Sequence, residues 1–141
     1  MKMGRVSFIA LTLIFHSIGS AASMDEIMPE LEVKTGMEGI GKTVFQGVQI
    51  EEFNVQILGI LEKVLPGGGD LILARLSGGP LDKTGVIAGM SGSPIYINGK
   101  LIGALSYAWG FSKEPICGIT PIEDMLRLSK ASHLEGANIE M

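Results

Sequence analysis

The sequence predicts a mostly β domain: a partial barrel (a barrel half) of short strands, followed by one late α-helix. Three observations lead there. Twenty glycines among 141 residues, with β-branched residues between them, divide the chain into short extended runs. Phe53, Val55 and Ile57 alternate with Glu52, Asn54 and Gln56, the period of a strand buried on one face. Asn98-Gly99 separates Ile95–Ile97 from Lys100–Leu105, and this pair suits the two-residue type I′ turn, whose central residues both need positive φ.

From the N-terminus, Lys2 and Arg5 make a positive start. The run from Val6 to Ile18 is mostly apolar, though His16 and Ser17 interrupt it. Ser20-Ala21-Ala22 then offers small residues to a signal peptidase. Residues 1–22 therefore read as a signal peptide, and the chain is expected to be secreted or periplasmic. The apolar run is short for a membrane span; an uncleaved anchor is the alternative, and no other stretch approaches membrane length. Residues 23–35 form a lead-in, in which Leu31–Thr35 could be a strand. Val44-Phe45-Gln46-Gly47-Val48-Gln49-Ile50 reads as strand and turn. Leu71 to Leu76 is nearly all apolar and reads as a buried strand. Leu65-Pro66-Gly67-Gly68-Gly69 and Ser77-Gly78-Gly79-Pro80 are loops. The helix begins near Pro121, with Thr120 as N-cap, Pro121 at the first position and Glu123 closing a capping box. Ile122, Met125 and Leu126 would form its apolar face. Residues 36–131 make one domain, and residues 132–141 read as a frayed tail. No internal repeat is present.

Composition narrows the function. The net charge is −4, and loss of Lys2 and Arg5 with a signal peptide makes the remainder more acidic. This argues against nucleic acid or an anionic membrane as partner. The single Cys117 has no partner for a disulfide within the chain, and its apolar surroundings, Pro115-Ile116-Cys117-Gly118-Ile119, suit a packed thiol. No Cys/His cluster suggests a metal, and no cofactor is expected.

The most informative stretch is Gly89-Met90-Ser91-Gly92-Ser93-Pro94, leading into the Asn98-Gly99 hairpin. A glycine-flanked serine before a hairpin is how a trypsin-like barrel presents a nucleophile. Ser91 must stand clear of its strand, and the backbone N–H groups of Gly89 and Ser91 must converge on a developing oxyanion. Gly92 lets the chain pass close behind the serine, and Pro94 stiffens the start of the next strand. Ser91 is thus the candidate nucleophile, with Gly89 and Ser91 as the oxyanion hole. The plain alternative is a turn of small residues joining two strands. A serine also needs a base. His16 falls in the signal peptide and His133 in the tail, and neither is well placed.

Gly36-Met37-Glu38-Gly39-Ile40-Gly41-Lys42-Thr43 matches the phosphate-binding pattern G-x-x-x-x-G-K-[ST]. That pattern needs a helix after it to bind the anion. The β-branched Val44–Ile50 argues for a strand instead, so P-loop nucleotide binding is a minor alternative to a glycine-rich turn.

Together with Asp70-Leu71-Ile72-Leu73-Ala74-Arg75, Lys83-Thr84-Gly85 and Gly118-Ile119-Thr120-Pro121-Ile122, these blocks resemble the SpoIVB peptidase family of secreted bacterial serine peptidases, over roughly Gly36 to Leu128. The resemblance implies a chymotrypsin-like β-barrel, endopeptidase chemistry on a protein or peptide, signalling by cleavage of another protein in sporulating members, and Ser91 as nucleophile; this chain is expected to form a trypsin-like β-barrel half, a partial barrel. The family's catalytic histidine lies in a Gly-His element, and this sequence has no Gly-His dipeptide. The family's acidic residue lies shortly before Lys-Thr-Gly; Ser77 falls near that place, with Asp70 and Asp82 offset from it. The expectation is a truncated or incomplete peptidase with little activity alone. The alternative is a non-catalytic secreted module that binds a peptide or protein.

Overall fold

The computed structural model describes residues 26–110 and 112–137, with side chains through Lys130. The signal peptide read at residues 1–22 lies outside them. Six strands close into a barrel: β1 (Glu38–Thr43), β2 (Glu51–Leu65), β3 (Gly69–Ser77), β4 (Pro94–Ile97), β5 (Lys100–Ala108) and β6 (Ile116–Pro121). Their order around the barrel is β1-β2-β3-β6-β5-β4, and every neighbouring pair is antiparallel. The pairs Ile40↔Tyr96 and Gly41↔Ile95 close the ring between β1 and β4. The expected barrel half is therefore one barrel, complete in itself.

Alternation decides what faces inward. Phe53, Val55 and Ile57 of β2 are buried, while Glu52, Asn54 and Gln56 are exposed. Ile72, Ala74 and Leu76 of β3, Ile95 and Ile97 of β4, Ile102 and Leu105 of β5, and Cys117 and Ile119 of β6 complete the core. Glycine permits close approach at several positions, Gly41 and Gly103 among them. A Cβ at Gly41 would run into the Phe53 ring, and one at Gly103 into the Thr120 carbonyl. The β4–β5 hairpin turns through Asn98 (φ 51°) and Gly99 (φ 76°), as the type I′ expectation requires.

The lead-in is not a strand. A 3₁₀ turn occupies Glu30–Glu32, and Met28 and Val33 pack into the core on either side of it. The Met28 N–H donates to the Leu101 carbonyl at 3.0 Å, tying the lead-in to β5. After Gly36 comes β1, with β2 following a loop at residues 44–50, so no helix follows the Gly-Lys-Thr pattern. Lys42 lies over the Tyr96 ring and 3.6 Å from the Glu52 carboxylate. The geometry of a phosphate loop is absent here, and the nucleotide reading falls with it.

One short helix, α1 (Leu81–Thr84), was not expected, and the late helix, α2, spans Ile122–Ala137. Thr120 and Pro121 belong to β6, not to the helix. The Thr120 hydroxyl pairs with Ser106 Oγ at 2.7 Å rather than capping the helix. The Glu123 carboxylate accepts the Glu30 N–H, not one from a capping box. Met125 and Leu126 are exposed, and the buried residue of the first turn is Asp124. The backbone of α2 continues into the stretch read as a frayed tail. Among the described residues, no helix is long and apolar enough to cross a membrane.

The barrel has two unlike ends. One gathers the β1–β2 loop, the long β3–β4 connection and the β5–β6 connection. The other carries the tight turns at residues 66–68 and 98–99 and the start of α2.

Candidate functional site

Ser91 sits at the first of these ends, on an exposed turn just before β4. The chain on either side is held by burial. Leu81 and Met90 are both in the core, 0% and 2% exposed, so the connection is pinned at its start and directly before the serine. With the Met90 side chain turned inward, the next residue is free to face solvent. Gly89 (φ 100°) and Gly92 (φ 88°) supply the left-handed backbone that folds the turn on both sides of Ser91.

The hydrogen bonds around the serine follow a pattern. The Met90 N–H donates to Ile87 O (3.1 Å), Gly92 N–H to Leu105 O (2.7 Å), and Ser93 N–H to Met90 O (2.9 Å). The Leu105 N–H donates back to Ser93 O (2.9 Å). Among the described residues, the N–H groups of Gly89 and Ser91 have no acceptor. The two amides that sequence reasoning assigned to an oxyanion are thus left open, as are those of Val86, Ile87 and Ala88, while the N–H groups of Met90, Gly92 and Ser93 are bonded. An unpaired N–H exposed to solvent is available to a developing negative charge.

Behind the turn, Ser93 Oγ donates to Thr43 Oγ1 at 2.9 Å, and both residues are buried. This bond fixes the start of β4 to the end of β1. It was not read in the sequence; the two residues are fifty positions apart, and only the β1–β4 closure brings them together.

The expected acidic partners are scattered. Asp82 is exposed on α1, at the Ser91 end. Asp70 is at the opposite end, where its carboxylate accepts the Lys63 N–H at 2.6 Å. Ser77 lines an open concavity of about 890 Å³ on the outer face of the barrel, with Lys42, Asn54, Arg75 and Tyr96. His133 belongs to α2, which starts at the barrel end remote from Ser91, and His16 lies outside the described residues.

A second cluster, which the sequence did not reveal, gathers carboxylates at that remote end. The Asp70 N–H donates to Asp124 Oδ2 (3.3 Å), and Arg127 pairs with Asp124 Oδ1 (3.0 Å). Glu30 is pushed up to about 7, first by burial and then by the charge of Asp70, a hydrogen bond with it, and the charges of Asp124 and Glu123. Burial also pushes the Cys117 thiol up to about 12, which suits a packed residue and not a reactive one.

A family model described as SpoIVB peptidase S55 matches residues 15–126. No curated protein and no solved structure matches the chain.

Proposed function

Because the chain belongs to the SpoIVB peptidase S55 family, we propose that it presents the nucleophile of an exported serine endopeptidase. Ser91 Oγ adds to a peptide carbonyl and gives its proton to a base. The N–H groups of Gly89 and Ser91 hold the resulting oxyanion. Collapse expels the amine, which takes up the proton, and water then releases the acyl group from Ser91. The observation that carries this reading is the pair of open amides at Gly89 and Ser91, beside an exposed hydroxyl on a rigid turn.

The base comes from outside the described barrel, on an element that bears histidine. Alone, the chain then has little or no peptidase activity, since loss of the base removes several orders of magnitude from the rate. The test is labelling of the purified chain by a fluorophosphonate, with Ser91→Ala as control. Labelling is expected to be weak alone and to rise when a Gly-His-bearing segment of the same family is added. Strong labelling of the isolated chain, abolished in Ser91→Ala, would instead place the base within it, with His133 the first to replace. Export is part of the proposal: mass spectrometry of the secreted protein should find an N-terminus at or near Ser23, and an intact Met1 on cytoplasmic protein would refute it.

A second reading is a secreted module that binds a peptide without cutting it. The absence of a histidine among the described side chains favours it. Failure of Ser91 to label under every condition, with peptide binding intact, would select it.

A further inference from the structure

β1 and β4 pair along their backbones at two positions, Ile40↔Tyr96 and Gly41↔Ile95. The same register, carried on toward the serine turn, sets Lys42 opposite Pro94 and Thr43 opposite Ser93. Pro94 has no N–H to give, so the backbone ladder stops there. One step further on, the strands are joined by side chains instead: Ser93 Oγ donates to Thr43 Oγ1 at 2.9 Å. A pair of hydroxyls thus continues the β1–β4 seam where backbone bonds end, close behind Ser91.

On its other side the turn is held by β5, through Gly92 N–H to Leu105 O and Leu105 N–H to Ser93 O. Ser93 is therefore gripped from both sides, by β5 at its carbonyl and by β1 at its hydroxyl. Its own N–H donates to Met90 O, which closes the turn around Ser91 on the residue that the two strands hold. The Gly-Lys-Thr stretch, whose pattern resembled a phosphate loop, has a use in this arrangement. Two short side chains meet only if β1 lies close to β4. A Cβ at Gly39 would run into the Tyr96 carbonyl of β4, and one at Gly41 into the Phe53 ring, so both glycines permit that approach. The alternation that buries Gly41 also buries Thr43, which turns its hydroxyl inward to Ser93.

We propose that Thr43 is a positioning residue for the nucleophile turn: through Ser93 it sets the direction of the Ser91 hydroxyl and of the Ser91 N–H. It touches neither the substrate nor the reacting atoms. The inference rests on the reading of Ser91 as nucleophile, and adds the element that aims it. Held by β5 alone, the turn can swing about that strand; the hydroxyl pair removes this freedom. Rates are steeply sensitive to small displacements of reacting groups. Loss of the pair therefore affects Ser91 more than a loss of similar size elsewhere in the barrel.

The test reads the position of the turn separately from its chemistry, in the full chain. Thr43→Val keeps the shape of the side chain and removes the acceptor, whereas Thr43→Ser keeps the acceptor. Ser93→Ala breaks the same bond from the other end and should reproduce Thr43→Val. Thr120→Val breaks the hydroxyl pair between Ser106 and Thr120 and serves as control. Circular dichroism confirms that each variant folds. Amide NMR shifts and hydrogen exchange at Gly89–Ser93 are read first. Thr43→Val is expected to move these amides and to speed exchange of the Gly92 N–H about tenfold. Thr43→Ser should restore them, and Thr120→Val should leave them in place. Fluorophosphonate labelling with the Gly-His segment added is read second. It should fall about tenfold or more in Thr43→Val and return in Thr43→Ser. Unmoved amides in both Thr43→Val and Ser93→Ala, equal movement in Thr120→Val, or no rescue by Thr43→Ser would each overturn the proposal. So would moved amides with undiminished labelling. Moved amides rescued by Thr43→Ser, in a chain that never labels, support the positioning and refute the nucleophile.

Discussion

Ser93 Oγ and Thr43 Oγ1 meet at 2.9 Å inside the barrel, and this one bond ties the strand after the candidate nucleophile to the end of β1. Neither hydroxyl has solvent as a substitute partner, since each residue is only 7% exposed. Replacing one of them strands the other. Ser93→Ala and Thr43→Val should each cost about 1–3 kcal/mol in denaturant unfolding, and the double variant less than their sum. Additive losses would show that the pair is not coupled.

Gly89 lies at φ 100°, with open space where a Cβ would stand. Its substitution is therefore a backbone test, not a packing one. Gly89→Ala should strain the turn by about 1–3 kcal/mol and misdirect the amide assigned to the oxyanion. Fluorophosphonate labelling supported by an added Gly-His segment should fall by about tenfold or more. The matching change at Gly85, also at positive φ and open, should spare it. Equal loss in both would assign the effect to general strain.

Gly41 and Gly103 are packing glycines. A methyl group at Gly41 meets the Phe53 ring, and one at Gly103 meets the backbone of Thr120. Gly103→Ala should be the costlier, because backbone yields less than a ring; overpacking of this kind costs about 1–3 kcal/mol or more. Gly59→Ala, where the nearest atom is Thr35 Oγ1 at 3.9 Å, is the control expected to be near neutral. Thermal unfolding of the three variants checks the order.

Glu30 gives a pH dependence of defined sign. Its folded-state value is raised from 4.5 to about 7, so the folded chain holds a proton that the unfolded chain has released. Stability from this group is fully present below pH 4.5 and is lost as pH rises toward 7. The melting temperature of Glu30→Gln should therefore fall less than that of the parent over this interval. A parallel decline in both would remove Glu30 as the cause.

Cys117 is completely buried and its thiol is pushed up to about 12. The native chain should resist iodoacetamide at neutral pH, and denaturant should expose one reactive thiol, as mass spectrometry would show. Rapid native alkylation would contradict the packing described for β6.

Much of this protein was determined by local sequence alone. Alternation placed Phe53, Val55 and Ile57 in the core, because the strand period is a property of the chain and needs no partner. Asn98-Gly99 fixed the hairpin for a similar reason, since positive φ is a local preference. The block around Ser91 carried the family, and its glycines imply the turn before any contact is known. The tertiary structure decided what depends on distant residues. Thr120, an apt helix cap in sequence, was drawn into β6 because Gly103 and Ser106 sit beside it there. The Gly-Lys-Thr pattern became a strand because β2 offered pairing along its whole length and β4 paired with Gly41 on the other side. The Ser93–Thr43 bond arises from closure of the barrel, and the gathering of Glu30, Asp70, Glu123 and Asp124 from the packing of the lead-in and α2 on one barrel end. Closure joins residues tens of positions apart, and no local pattern records which strands will become neighbours.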